Sequence, residues 1–354
     1  MIRWRKGVVQ SLGKSWRGAQ ELHVLIEDTI TAKALAYPDL VGLPQIGDTL
    51  LLNTTALDMG LGTGGYAMVI ANQDRFPDDP TGPGHLVKGR YLPLQATVLG
   101  VDEQDSPHHA IIRDATSIEN VPVIIADLHS ALPALVATIL ADRPGTKIAY
   151  VMTDGGALPL WFSRNASELA SQLCGTVTVG QALGGDLEAV TLHTGLLAAR
   201  HVLGAEIVIV TQGPGNLGTG TPWGFSGVAA GEAVNAVAVL EGRPIGALRI
   251  SQADARGRHN GVSHHSTTAY GKVALAPADL PVPTGLDPTL ASMVAKDLEP
   301  LIRHRVVSIA SEGLDDILRA SPVRLSTMGR GLDADYAYFL ATAAAGRHAV
   351  NMLR

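Results

Sequence analysis

The chain has 354 residues, of which 46% are hydrophobic, 17% charged and only 4% aromatic, with 39 glycines. That composition belongs to a folded chain rather than a disordered one, long enough for about two domains. The net charge of −6 leaves no basic footprint for nucleic acid, and no apolar run reaches the roughly 18–20 residues of a membrane span.

The basic start, Met1-Ile2-Arg3-Trp4-Arg5-Lys6, runs into Gln10, Ser11 and Lys14 instead of an apolar core, so it is not read as a secretory leader. The single cysteine, Cys174, excludes an intrachain disulfide, and a reducing cytoplasm is the expected location. Residues 1–115 read as a β-rich domain. Short apolar stretches at 7–9, 22–26, 46–52, 67–70 and 95–99, separated by Gly and Asp turns, predict a small β-barrel or sandwich. Residues 72–84 collect Asp, Pro and Gly and predict a surface loop, and the Gly-rich run 60–65 predicts a hairpin turn.

Residues 116–354 change rhythm. Apolar runs at 121–126, 147–152, 175–179, 206–210 and 244–250 predict strands. They alternate with helices expected over 132–141, 161–173, 186–203 and 226–240. This is the pattern of βαβ units, so the fold class is α/β with a mostly parallel, Rossmann-like sheet after the β-rich domain. Helices at 287–301, 312–320 and 333–352, around a strand at 305–309, complete the tail.

In an open parallel sheet, ligands collect at the carboxyl ends of the strands. Asp127 and His129 follow the first predicted strand, and Asp154 follows the second. The fourth leads into Gly213-Pro-Gly215-Asn216-Leu-Gly218-Thr219-Gly-Thr221, a literal Gly-x-Gly-x-x-Gly. Pro214 between the first two glycines, a helix that starts only after Pro222, and no acid at the end of the next strand disfavour a nicotinamide or flavin. Two readings stay open: an anion cradle of backbone N–H groups with Asn216, Thr219 and Thr221, or a tight structural connection.

The densest titratable cluster follows the fifth strand: Asp254, Arg256, Arg258, His259, His264 and His265. Imidazoles at such a place serve as general acid/base or as metal ligands, and arginines hold carboxylate or phosphate. The expected catalytic set is His264, His265 and Asp154. The expected ligand-binding set is Gly213, Gly215, Asn216, Gly218, Thr219, Thr221, Asp254, Arg256 and Arg258. Asp127 and His129 are candidate metal ligands, with Asp154 as a third. A solvated polar loop is the competing reading.

The run 213–221, with Gly224-Phe-Ser-Gly227, Gly261-Val-Ser-His-His265, Gly185-Asp-Leu-Glu-Ala-Val190 and Leu196-Leu-Ala-Ala-Arg-His201, resembles an uncharacterised bacterial family, the domain of unknown function 3866. The resemblance covers nearly the whole chain and implies a bacterial intracellular protein. It implies no activity and carries over no site residues. The functional expectation therefore rests on residue placement: an enzyme of a small anionic metabolite or phosphate-bearing ligand, at the C-terminal edge of the sheet. The alternative is a ligand-sensing or scaffold protein that uses the β-domain for partner contacts. The cofactor is left unknown, with a divalent metal open. A small-molecule ligand is expected as partner, with no nucleic acid and no membrane, and a homo-oligomer is left open.

Overall fold

A computed structural model describes residues 1–62 and 64–353. The chain divides into two compact units: Met1–Val98 with Trp161–Ser167, and Leu99–Leu160 with the chain from Glu168 onward.

The first unit is a closed five-stranded barrel with strand order β1-β2-β3-β5-β4. Its strands are β1 (Trp4–Trp16), β2 (Ala19–Ile26), β3 (Ile30–Ala36), β4 (Thr49–Asn53) and β5 (Tyr66–Asn72). Period-two alternation turns Leu22, Val24, Ile26, Leu50 and Leu52 inward, where they meet Val9, Ala34, Ala67 and Val69. β1 is long enough to pair with both β2 and β4, and its register shifts after Val9 and Leu12 supply the bend that closure needs. β3 and β5 pair in parallel. Of the turn expected at 60–65, Thr63 lies outside the described residues; β4 and β5 are joined through the short helix Thr55–Asp58. A short hairpin, β6 (Leu86–Lys88) and β7 (Ala96–Val98), ends the unit.

The second unit holds an eight-stranded sheet of order β11-β10-β9-β12-β8-β13-β16-β17. These are β8 (Pro122–Ala126), β9 (Ile148–Thr153), β10 (Gly175–Thr178), β11 (Leu187–Glu188), β12 (Ile207–Gln212), β13 (Arg243–Gly246), β16 (Asp279–Pro283) and β17 (Arg305–Ile309). Every pairing in it is parallel, and the central strands are apolar throughout because both faces are covered. On one face Val123, Ile125, Val151, Val208 and Val210 pack with the helices Leu192–His201 and Ala229–Val239. Leu128, Ala134 and Ile309 pack instead with Leu314–Arg319 and Tyr336–Asn351. The arrangement is α/β of Rossmann type. No helix among the described residues is long and apolar enough to cross a membrane.

Several elements differ from the sequence expectation. The helix expected over 161–173 is broken into the turn Leu160–Phe162, the short helix Arg164–Glu168 and the turn Ala170–Gln172. The helix expected from 186 begins at Leu192, because Leu187–Glu188 forms β11 and Thr191 caps the helix by accepting from Thr194 N at 3.2 Å. The strand expected over 244–250 ends at Gly246; Ile250–Ser251 (β14) pairs instead with Gly261–Val262 (β15) in a separate antiparallel ribbon. β16 escaped notice because it contains Pro281 and Pro283. Thr284 N donates to Ile309 O on β17, so by alternation the two prolines turn toward β13. There the ladder stops at Ile245↔Asp279, and no donor is needed.

Candidate functional site

The strand order contains a reversal. From β8 the chain runs to β9, β10 and β11 on one side, returns to insert β12 beside β8, then crosses to β13, β16 and β17 on the other. The carboxyl ends of β12, β8 and β13 therefore lie side by side at a topological switch point, where α/β sheets open a crevice. Three segments leave from it: the one after Asp127, the loop that starts at Gly213, and the stretch from Ala247 to Ser266.

Arg249, 3% exposed, anchors this crevice. Its backbone N–H donates to Ser266 Oγ at 2.9 Å, and its Nη2 donates to Asp254 Oδ2 at 3.3 Å. Arg256 grips the same carboxylate through two bonds of 2.8 and 2.7 Å. Arg330 lies 3.6 Å from Asp254 and pairs with Asp335, which also accepts from Ser251 Oγ at 2.7 Å. The bond from Arg256 outweighs burial and holds the Asp254 carboxyl far below the usual range. Each ion in this network has its counter-ion.

The histidines lie beside it. Ser263 Oγ accepts from His265 N at 3.2 Å, capping the short helix His264–Thr268, and bonds His259 Nδ1 at 2.7 Å. His265 stacks flat on Phe225, with ring centroids 3.8 Å apart. Its Nδ1 lies 3.3 Å from Asp127 Oδ2, the carboxylate at the end of β8, and 3.4 Å from Arg249 Nη1. The centroids of His259, His264 and His265 are 4.9, 4.9 and 4.5 Å apart. Burial first, then Arg249 and Arg256, push His259 down to about 3. Burial, then His265 and Arg258, push His264 down to about 4, so both imidazoles are neutral near pH 7. His264 Nε2 is buried without a hydrogen-bond partner among the described residues.

The loop after β12 is bonded mainly to itself. Thr219 N donates to Gly224 O at 2.7 Å, Ser226 N to Leu217 O at 2.9 Å, and Gly224 N to Thr221 Oγ1 at 3.1 Å. Asn216 Oδ1 accepts from Gln212 Nε2 and Ser226 Oγ, both at 2.9 Å. At its root Gly213 and Gly156 permit backbone contact with the loop after β9: a Cβ on Gly213 would stand 2.2 Å from Ala157 O. Gly215 and Gly220 hold positive φ angles of 86° and 80°. Gly218 forms an isolated bridge with Phe225. Gln212 Oε1 is buried without a partner and borders a space of about 10 Å³ shared with Asp127, Ser226 and Gly227, the size of one water. Arg258 approaches the loop from the other side, its Nη2 3.8 Å from a Cβ placed on Gly220. It makes no ion pair among the described residues.

The residues expected from sequence thus separate. Asp127, Asp254, Arg256, Arg258, His264 and His265 meet at the switch point. Asp154 accepts from Gln181 N at 2.9 Å in the loop after β9, and no described contact joins it to the histidines. His129 does not share a centre with Asp127: its Nδ1 lies 3.0 Å from Tyr150 OH, which reaches Thr211 Oγ1 at 2.9 Å, and burial pushes its imidazole down to about 4. Arg249, Phe225, Ser263, Arg330 and Asp335 belong to the cluster and were not expected. A buried arginine leaving a strand in a chain with so little charge was the available signal for Arg249. Arg330 and Asp335 enter from the far tail and carry no local signal.

Comparison with protein families places residues 33–346 in the family described as a protein of unknown function (DUF3866), and the chain belongs to it. No curated protein and no solved structure matches the chain.

Proposed function

We propose that this member of the DUF3866 family is an enzyme of a small anionic molecule, bound at the C-terminal edge of the sheet. Arg258 holds the anion, and the cluster of His259, His264 and His265 is the reacting centre. One observation carries the reading. Arg249, Arg256 and Arg330 are all taken up in ion pairs with Asp254 or Asp335, whereas exposed Arg258 makes no ion pair, and the buried His264 Nε2 no hydrogen bond, among the described residues. A buried orphan nitrogen costs about 1–3 kcal/mol, a cost that a ligand would remove. Arg256, bidentate on Asp254, is engaged and is not the anion-holding group. The space of about 10 Å³ lined by Asp127, Gln212 and Ser226 is too small for a metabolite, so the ligand sits outside it, between Arg258 and the loop at Gly220.

Thermal unfolding with inorganic phosphate as the probe tests the anion site. Phosphate should raise the melting temperature of the native chain by mass action, and Arg258→Ala should abolish that rise. Retention of the full rise by Arg258→Ala would remove Arg258 from the site. A screen of small phosphate and carboxylate esters then separates turnover from sensing. An enzyme converts at least one ligand that also protects it thermally, and the conversion disappears in His264→Ala; a sensor binds without conversion.

A further inference from the structure

We infer that His259, His264 and His265 form a binding site for one divalent transition-metal ion of the zinc kind, with an outward-facing coordination position left for an anion. The inference deepens the preceding reading by naming what the reacting centre holds, and it rests on that reading for the location of the anion only.

The ligand atoms of the three histidines all lie within 4.8 Å of one another. A tetrahedral ion with bonds of about 2.0–2.1 Å needs its nitrogens about 3.4 Å apart, so ring rotations of the order of 1 Å complete the set. The supporting groups are already in place. A metal-binding imidazole characteristically donates its other N–H to a carboxylate, hydroxyl or carbonyl. His265 Nδ1 faces Asp127 Oδ2 at 3.3 Å and Arg249 Nη1 at 3.4 Å; in the tautomer that donates to Asp127, and with a proton on His259 Nδ1 donated to Ser263 Oγ, both Nε2 lone pairs are bare. His264 Nε2 is the buried nitrogen without a partner. Three imidazole nitrogens are the donor set that suits zinc, copper, nickel or iron(II). Calcium and magnesium need oxygen ligands, and the carboxylates of Asp254 and Asp335 are held by arginines. Three protein ligands plus an open position is the arrangement of catalytic rather than structural zinc. A purely packed aromatic cluster with Phe225 would be served as well by phenylalanine or leucine at 264, without the buried orphan nitrogen.

The full-length chain, stripped with a chelator, should take up one Zn²⁺ or Co²⁺ per molecule by calorimetry, with the visible absorption of four- or five-coordinate cobalt. His264→Ala should weaken Zn²⁺ at least 100-fold relative to the native chain, with both proteins shown to be folded when metal-free. Asp127→Asn, acting through His265, should weaken it about 10–100-fold. Failure of the native chain to bind either ion stoichiometrically, or unchanged affinity in His264→Ala, overturns the inference. If His264→Ala does not fold, the cobalt spectrum of the native chain decides, since an unperturbed aquo-ion spectrum also overturns it. The phosphate response and its dependence on Arg258 are read on metal-free protein. Metal binding can therefore fail while the anion site stands, and the reverse.

Discussion

Each unit of the molecule buries an acid among basic partners, yet the two centres end differently. In the barrel, Glu21 accepts from the Tyr66 hydroxyl and from Arg164 Nη2 at 3.0 Å, with Lys33 Nζ at 3.7 Å. Arg164 also lies over the Trp16 ring at 4.6 Å, and the polar groups there are satisfied. In the sheet unit Asp254 is enclosed just as fully by Arg249, Arg256 and Arg330. One layer further out, however, His264 Nε2 has no partner and Arg258 no counter-ion among the described residues. A closed polar network specifies a packing arrangement; an open one beside it offers binding energy to something outside the chain. The difference lies in what is left over, not in how much charge is buried.

The largest expected effect lies at the root of the loop after β12, in the unit that carries the open centre. Gly213→Val puts a Cβ within 2.2 Å of Ala157 O and should cost about 3 kcal/mol or more in a urea melt. A near-native midpoint would mean that the loops after β9 and β12 do not hold each other. Tyr66→Phe should come next. It deprives buried Glu21 of its hydroxyl donor and should destabilise by about 1–3 kcal/mol, as expected of a structural network. A smaller, pH-dependent effect follows from the same acid. The Tyr66 hydrogen bond, ahead of Lys33 and Arg164, holds the Glu21 carboxyl below its ordinary 4.5. Its stabilisation is complete above the unfolded value and is lost as pH falls through the folded one. Glu21→Gln should therefore flatten the acid limb of a stability–pH curve, and an unchanged limb would count against the network. The smallest effect belongs to the open centre itself: Arg258→Ala should change stability by less than about 0.5 kcal/mol. A large loss would reveal a structural partner and dissolve the contrast.

Much of the fold was legible where local pattern and burial agree. Apolar runs marked β8, β9, β10 and β12 because strands covered on both faces have little polar alternation to hide them, whereas β17, an edge strand exposed over most of its length, showed through its β-branched Val306-Val307 and Ile309. β3 did not stand out, since Ile30-Thr-Ala-Lys-Ala-Leu-Ala has few β-branched residues and closes the barrel through its neighbours β2 and β5. β16 was masked by prolines whose missing donors face a stretch without a ladder. The histidine and arginine crowding at 254–265 pointed to the right segment, but local density could not assign duties. Arg256 closes an ion pair while Arg258 does not, and only the fold of the segment distinguishes them.

What the amino-acid order determined alone was the local layer: a β-rich start, an α/β remainder, and polar residues gathered where strands end. Local periodicity and turn chemistry suffice for that, because both act over a few neighbouring residues. Which of those residues meet was decided by strand order. Asp127 and His265 are 138 positions apart and touch because β12 inserts beside β8 and β13 follows on its other side. Asp154 and His129, equally well placed at strand ends, were drawn to Gln181 and Tyr150 instead. Long-range partnership depends on how the faces of whole elements pack, and no short window of sequence contains that information.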